Sequence, residues 1–362
     1  MTGPPHLYAC GPVPLSAGVR AALGSQVPHH GDLAFTRLYA RTADRAGQVL
    51  QAGAEAVLLP AGAGAALDAA VAALVRPGMG ALVLVSGVFG ARLSARLARA
   101  GADVHELRMP WDAVAGPAAV AACLDASGGT IRLVAAVHIE TASGTLTDLA
   151  AISRVAHDGG ALMLADCVSS AGGAELDTAG WGLDLMVAAP HKCIAGPAGL
   201  SMVVVSDRAW EPIERTPPGS LSLLGWRDWR RGFPDTPPGV LIAGLDAALG
   251  ELLAEGPGAV KARTAAAAAE CRAGMADLGL RLWPASEDIA APCVTAVRLP
   301  DGLGETVIAR QLRDKHGMLL PGSLGTGPLL RIGHMGQAAR PTAAAGAVRA
   351  VGDALAELDA LP

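Results

Sequence analysis

Lysine is almost absent from this sequence: of 28 basic residues only Lys192, Lys261 and Lys315 are lysines, and the rest are arginines. Aromatics are scarce too, at 3%, with two tyrosines and three phenylalanines. The interior must therefore be filled by Ala, Val and Leu on a turn-rich frame, which the 46 glycines and 25 prolines supply. There is no basic block, and the net charge is −5, so nucleic acid and anionic membrane surfaces are not expected partners. No uninterrupted apolar run reaches the roughly 18 residues of a membrane-spanning helix. Residues 1–5 lack the basic region and apolar run of a secretory signal. The six cysteines form no C-x-x-C pair and a chain this long needs no disulfide staples, which fits a reducing cytoplasm. The nine histidines form no H-x-x-x-H or H-E-x-x-H pair, so no metal site is expected. A role with small molecules is what these absences leave.

The 362 residues correspond to about 2.4 average domain lengths. Strand-like runs at 56–59, 81–86, 133–138 and 162–165 alternate with helical patterns up to about 75, over 91–100 and over 149–158. Such alternation predicts βαβ units and a mostly parallel sheet, hence an α/β fold. The runs 185–188 and 200–205 leave no room for a helix between them, so a hairpin-like loop is predicted there, and it carries Lys192. From 208 to 239 the composition turns to Pro, Trp and Arg, which predicts a long loop closing a large domain. A long helical pattern over 241–278, apolar alternation around 296–299 and helices over 305–317 and 342–358 predict a smaller α+β domain. The expected division is an N-terminal arm at 1–15, a large domain at 16–240 and a small domain at 241–362.

Lys192 stands in the segment 185–206, which holds no other charged residue apart from a histidine. Apolar surroundings suit a nucleophilic, Schiff-base-forming lysine. The same local sequence also suits a surface lysine that snorkels from a turn. Asp166 closes a buried strand and is followed by small and hydroxylated residues, the place where ligands bind in parallel sheets. A carboxylate there can hold a protonated ring nitrogen, or cap the next segment. Arg331 lies between apolar residues on a predicted strand, where a bidentate carboxylate, from a substrate or from an internal salt bridge, would satisfy it.

The motifs 165–173, Gly182-Leu-Asp184, Pro190-His-Lys192 and Gly196-Pro-Ala-Gly-Leu200 together resemble the class V, fold type I pyridoxal-phosphate aminotransferases. The resemblance is to the alanine-glyoxylate and serine-pyruvate branch. Within it the chain most resembles the pyridoxamine-pyruvate aminotransferases, through Thr141-Ala-Ser-Gly144, Lys192-Cys193, Glu255-Gly-Pro-Gly258 and Arg331-Ile-Gly-His-Met-Gly336. It covers nearly the whole chain. It implies a large domain with a mostly parallel mixed sheet that binds pyridoxal 5'-phosphate as cofactor, a smaller C-terminal domain on which the arm at 1–15 packs, and a homodimer whose sites are completed across the interface. By position, Lys192 would form the Schiff base and shuttle a proton, with Asp166 as partner of the pyridine nitrogen. Phe89 would stack on the ring, Thr141 contact the ring hydroxyl, and Arg331 grip the substrate carboxylate. His30 matches a histidine near the family's site entrance, but packing is the plainer expectation for it and for His334.

The phosphate turn departs from the family pattern. Pro60-Ala61-Gly62-Ala63-Gly64 has no hydroxyl residue, so the amides of Gly62, Ala63 and Gly64 at a helix start are the expected donors. His191 and Thr236 are the candidate side-chain donors, Thr236 from a neighbouring subunit. Phe233 replaces a tyrosine of the alanine-glyoxylate enzymes. Gly62 stands where the pyridoxamine-pyruvate enzymes carry an acidic residue, and Gly322-Ser-Leu-Gly-Thr326 offers no second substrate arginine. The implied function is transamination between an amino acid or related primary amine and a 2-oxo acid. The rivals are a β-eliminating C–S lyase or decarboxylating deaminase, a transaminase of the unphosphorylated vitamin, and a cofactor-binding protein that has lost catalysis.

Overall fold

The computed structural model describes residues 6–213, 219–320, 324–325 and 327–361. A short strand β1 (His6–Leu7) precedes helices α1 (Ala17–Leu23) and α2 (Leu33–Val49). Asp32 starts α2 by accepting a hydrogen bond from the Ala34 N–H. Strands and helices then alternate: β2 (Val57–Leu59), α3 (Ala63–Leu74), β3 (Gly80–Val85), α4 (Val88–Arg99), β4 (Asp103–Arg108), α5 (Pro117–Ala126) and β5 (Ile131–Val137). A small hairpin of β6 (Ile139–Glu140) and β7 (Thr145–Leu146) leads to α6 (Leu149–Asp158), β8 (Leu162–Asp166), β9 (Leu185–Ala188) and β10 (Ser201–Val205).

Seven strands form one sheet in the order β2-β10-β9-β8-β5-β3-β4. Its members are parallel except β10, which runs antiparallel to β9 and to β2. All of β3 is buried, and all of β5 except Arg132. Strands covered on both faces read as continuous apolar runs, which is why the sequence displays them. The edge strand β4 reads Asp-Val-His-Glu-Leu-Arg and buries none of its residues fully. Its polar character hides it, and the sequence reading passes over both β4 and the alanine-rich α5.

The stretch expected as one long loop contains α7 (Asp207–Ile213), α8 (Leu223–Arg227) and a 3-10 turn over Trp229–Arg231. Trp229 and Phe233 pack on Tyr39 with ring centroids 4.8 and 5.0 Å away. This aromatic area gives the segment a core contact that offsets its prolines. The helical pattern after 241 is two helices, α9 (Gly239–Glu255) and α10 (Pro257–Asp277). Gly256, at φ +91°, makes the break that Pro257 then follows into the first helical turn. Helix α9 buries Ile242, Leu245, Leu249 and Leu252 in the core of the large sheet.

The remaining elements are β11 (Val294–Arg298), α11 (Glu305–His316), β12 (Met318–Leu319), β13 (Leu329–Gly333) and α12 (Pro341–Glu357). Strands β11 and β13 pair antiparallel, and a second core gathers Met275, Ile308, Leu312, Ile332 and Val351. β1 joins β12 in parallel, so the chain's start is anchored at this second core before it crosses to the large sheet. Among the described residues no helix is long and apolar enough to cross a membrane.

The chain leaves β3 towards β4 on one side and leaves β5 towards β8 on the other. Adjacent parallel strands whose connections depart in opposite directions open a crevice at their carboxyl ends. Phe89 follows β3, Glu140 follows β5 and Asp166 ends β8, all at that edge.

Candidate active site

A cavity of about 200 Å³ lies in the crevice, lined in part by Ala63, Gly64, Phe89, Asp166, His191 and Lys192. Lys192 sits in the loop between β9 and β10 and is 8% exposed. Its Nζ donates a hydrogen bond to Ser169 Oγ at 3.1 Å and lies 5.7 Å from the Phe89 ring centre. The N-terminal segment presses on its stem: a Cβ at Gly11 (φ +98°) would stand 2.7 Å from Lys192 Cγ. Only glycine lets the chain pass so closely. The Ser169 carbonyl accepts from the thiols of Cys193 and Cys293, each at 3.3 Å, so the residue that holds the lysine is itself fixed.

Asp166 is buried and its Oδ1 accepts from the Val168 N–H at 3.0 Å. Burial pushes its carboxyl up, while that hydrogen bond, Lys192 and Arg96 act to lower it. A positively charged ring nitrogen at this carboxylate would relieve the burial cost. His191, also in the cavity wall, has a buried Nδ1 without a hydrogen-bond partner. Burial first, then Lys192, holds its imidazole below the ordinary range, so it is neutral near pH 7 with one nitrogen to offer.

The two helices that meet at the cavity start differently. Helix α4 has its first amides satisfied from outside: Glu140 Oε2 accepts from Phe89 N–H at 2.9 Å and from Gly90 N–H at 3.1 Å. Glu140 is 3% exposed, and burial pushes its carboxyl up to about 7 against the effect of three backbone hydrogen bonds. A Cβ on Gly87 would lie 2.4 Å from Glu140 Cγ, so this carboxyl occupies the space a side chain would need. Helix α3 starts at Gly62 with no side-chain cap, and its first residues Ala63 and Gly64, whose amides have no intrahelical partner, line the cavity. A Cβ at Gly62 would meet nothing within 4 Å. Free helix amides, an orphaned imidazole nitrogen and a buried carboxylate form a set that suits a phosphorylated, nitrogen-bearing ring.

The structure thus brings Ala63, Gly64, Phe89, Asp166, His191 and Lys192 together. Gly62 caps the adjoining helix without lining the cavity. Thr141 and Arg331 are buried but outside the lining, and Arg331 Nη1 donates to the Thr141 carbonyl at 3.0 Å. Both Arg331 and Lys192 act to lower the Cys10 thiol that burial pushes up, which places the two cations in one neighbourhood. Thr236 is exposed and not part of the cavity lining, with its N–H on Asp235 Oδ1. Phe233 is spent in the aromatic cluster on Tyr39. His334 is a core residue, 2.8 Å from Thr295 Oγ1 and held neutral at about 3 by burial, as the packing reading expects. Residues 322, 323 and 326 of the segment expected to lack a second arginine lie outside the described residues.

Sequence reasoning missed Ser169, Glu140, Arg92 and Arg96. Arg92 and Arg96 line the cavity from α4, one helical turn apart and on the side that carries Phe89. That spacing was the available signal.

Residues 17–344 match the family described as aminotransferase class-V. A pyridoxamine–pyruvate transaminase of Mesorhizobium japonicum is 37% identical over 354 residues, 95% of this chain and 90% of that protein. An L-aspartate–glyoxylate aminotransferase of Paracoccus denitrificans is 31% identical over 93% of this chain and 87% of that one. The solved structure of pyridoxamine-pyruvate aminotransferase from Mesorhizobium loti superposes with a TM-score of 0.95 at 36% identity, covering 99% of this chain and 93% of that chain.

Proposed function

The chain belongs to the class-V aminotransferase family, and we propose that this fold type I, pyridoxal-phosphate-dependent aminotransferase passes the amino group of an amino acid or related primary amine to a short 2-oxo acid, pyruvate or glyoxylate. The observation that carries the site assignment is the Lys192 amine, held on Ser169 Oγ in the same cavity wall as Asp166. When bound, pyridoxal phosphate supplies an electrophilic carbon for the incoming nitrogen and an electron sink for the pair left when a Cα–H bond breaks.

The chain's own residues do the rest. Asp166 holds the proton on the ring nitrogen, and the low-dielectric site strengthens that pairing. Phe89, its backbone fixed by Glu140, would hold the ring by stacking. Ala63 and Gly64 amides and His191 take the phosphate, with Gly62 leaving the turn open. Lys192 Nζ, held by Ser169 Oγ, would take the proton from the donor's Cα and would return it on the cofactor side. Arg331 receives the substrate carboxylate and Thr141 the ring hydroxyl.

We also propose a cytoplasmic homodimer. Thr236 is exposed and absent from the cavity lining of its own chain, which supports its delivery to a partner's phosphate site. All six cysteines are free thiols, which supports a reducing compartment. The domain division is proposed as an arm before residue 16, a large domain and a small C-terminal domain. The packing of α9 on the large-sheet core supports moving the latter boundary from 240 to Gly256.

The similarity to a pyridoxamine–pyruvate transaminase favours a second reading, in which the free vitamin is the amino donor. One experiment separates them. The purified enzyme is given pyruvate or glyoxylate with a panel of amino acids or with free pyridoxamine, and the amino product is measured. Transfer from an amino acid at saturating cofactor supports the first reading. Transfer from pyridoxamine alone replaces it with the second, and no transfer to either acceptor refutes both.

A further inference from the structure

The cavity wall is unbalanced in charge. It carries two guanidiniums, Arg92 and Arg96, and the Lys192 amine, against one carboxylate, Asp166. Guanidiniums keep their charge at any physiological pH, so the space holds fixed positive charge without a matching anion in the wall. The two arginines are placed differently. Arg92 lies over the Phe89 ring, 5.3 Å from its centre. Arg96 reaches across to α3, with its Nε 2.9 Å from Asp68 Oδ1.

The reach of Arg96 ends on the first turn of α3. Its Nη2 lies 3.0 Å from the position of a Cβ on Gly64, so a side chain there would press on the guanidinium, and glycine keeps the two in contact. The Asp68 side chain is 56% exposed and the Arg96 side chain 18%. The exposed carboxylate pairs with the guanidinium by charge, without a hydrogen bond to the buried Nε, and Arg96 still lines the cavity. Arg96 also acts to lower the Asp166 carboxyl, so its charge is felt on the opposite wall.

We propose that Arg96, paired with Asp68, is the side-chain cation that receives the cofactor's 5'-phosphate beside the Ala63 and Gly64 amides, and that it makes this chain select the phosphorylated cofactor over the free vitamin. The inference rests on the cofactor site proposed above. It explains how the turn 60–64 does without a hydroxyl residue. A guanidinium gives two parallel donors to phosphate oxygens, and the uncapped start of α3 adds amides whose dipoles favour the same anion. An unphosphorylated cofactor fills neither and leaves Arg96 with its Asp68 ion pair alone.

The test is a spectroscopic titration of apo-protein with pyridoxal phosphate and, separately, with pyridoxal, following absorbance of the bound aldehyde rather than turnover. Arg96→Gln is expected to weaken pyridoxal phosphate about 10- to 100-fold, the loss of a charge-assisted hydrogen-bonded contact, and to leave pyridoxal within about threefold. Arg96→Lys should recover part of the affinity, because the charge remains without the fork. Inorganic phosphate should compete with pyridoxal phosphate in the wild type and raise the melting temperature of the apo-protein, and both effects should shrink in Arg96→Gln. Equal weakening of the two ligands would make Arg96 a structural tie between α3 and α4 and overturn the proposal, as would unchanged affinity for the phosphate form. Should Arg96→Gln fail to fold, Arg96→Lys and the phosphate experiment on wild type still decide: phosphate that neither competes nor stabilises refutes the anion site. A wild type that binds neither aldehyde at Lys192 would refute the cofactor site itself, a different outcome from binding that Arg96 does not discriminate.

Discussion

Replacing Glu140 by Gln removes a buried ionisable group while keeping an oxygen that can accept from the α4 amides. In the native protein burial moves this carboxyl from its ordinary 4.5 to about 7. Below pH 4.5 both folded and unfolded chains carry the proton. Between pH 4.5 and 7 the unfolded chain releases it first, so raising the pH favours unfolding, and above 7 the loss is complete. The interval corresponds to about 3 kcal/mol at 1.36 kcal/mol per pH unit, of which about 2 kcal/mol falls between pH 5 and 8. Urea unfolding of apo wild type and Glu140→Gln across that range measures it, since all other groups titrate in both proteins. The variant is expected to gain about 2 kcal/mol relative to wild type on going from pH 5 to pH 8. Parallel stability curves would show that the carboxyl is ionised throughout, and that the α4 amides outweigh its burial.

Arg331→Leu should raise KM for a carboxylate substrate about 10²-fold, the loss of a charge-assisted pair worth roughly 3 kcal/mol, with Arg331→Lys rescuing it in part. An unchanged KM would make Arg331 a structural residue, with the Thr141 carbonyl among its partners. Gly62→Glu should fold, since its Cβ points into open space, and should shift cofactor preference towards pyridoxal by repelling the phosphate. No shift in paired titrations would mean that the phosphate lies elsewhere.

Two parts of the site that the sequence displayed end a buried strand or follow one into a helix. Asp166 and Phe89 stand where continuous apolar runs stop, and Lys192 is conspicuous because lysine is so scarce. Arg92 and Arg96 were hidden by the opposite circumstance. In an arginine-rich chain, arginines on an amphipathic helix such as α4 look like its solvated face, and only the fold shows that Arg96 lines the cavity beside Gly64 and Asp68. Ser169 and Glu140 carry no periodic signal, because each acts on a residue distant in sequence, Lys192 in one case and Phe89 in the other. The fold was legible through its doubly covered strands. Strand β4 escaped because an edge strand is polar on both faces, and the aromatic cluster over 226–233 overrode the loop that its prolines announce.

The most direct test of the active-site assignment is borohydride reduction of the protein loaded with pyridoxal phosphate, followed by peptide mapping by mass spectrometry. With only Lys192, Lys261 and Lys315 in the chain, the map has three possible lysines. The account predicts the reduced cofactor on Lys192 alone. Label on Lys261 or Lys315, or none after reduction, would contradict it.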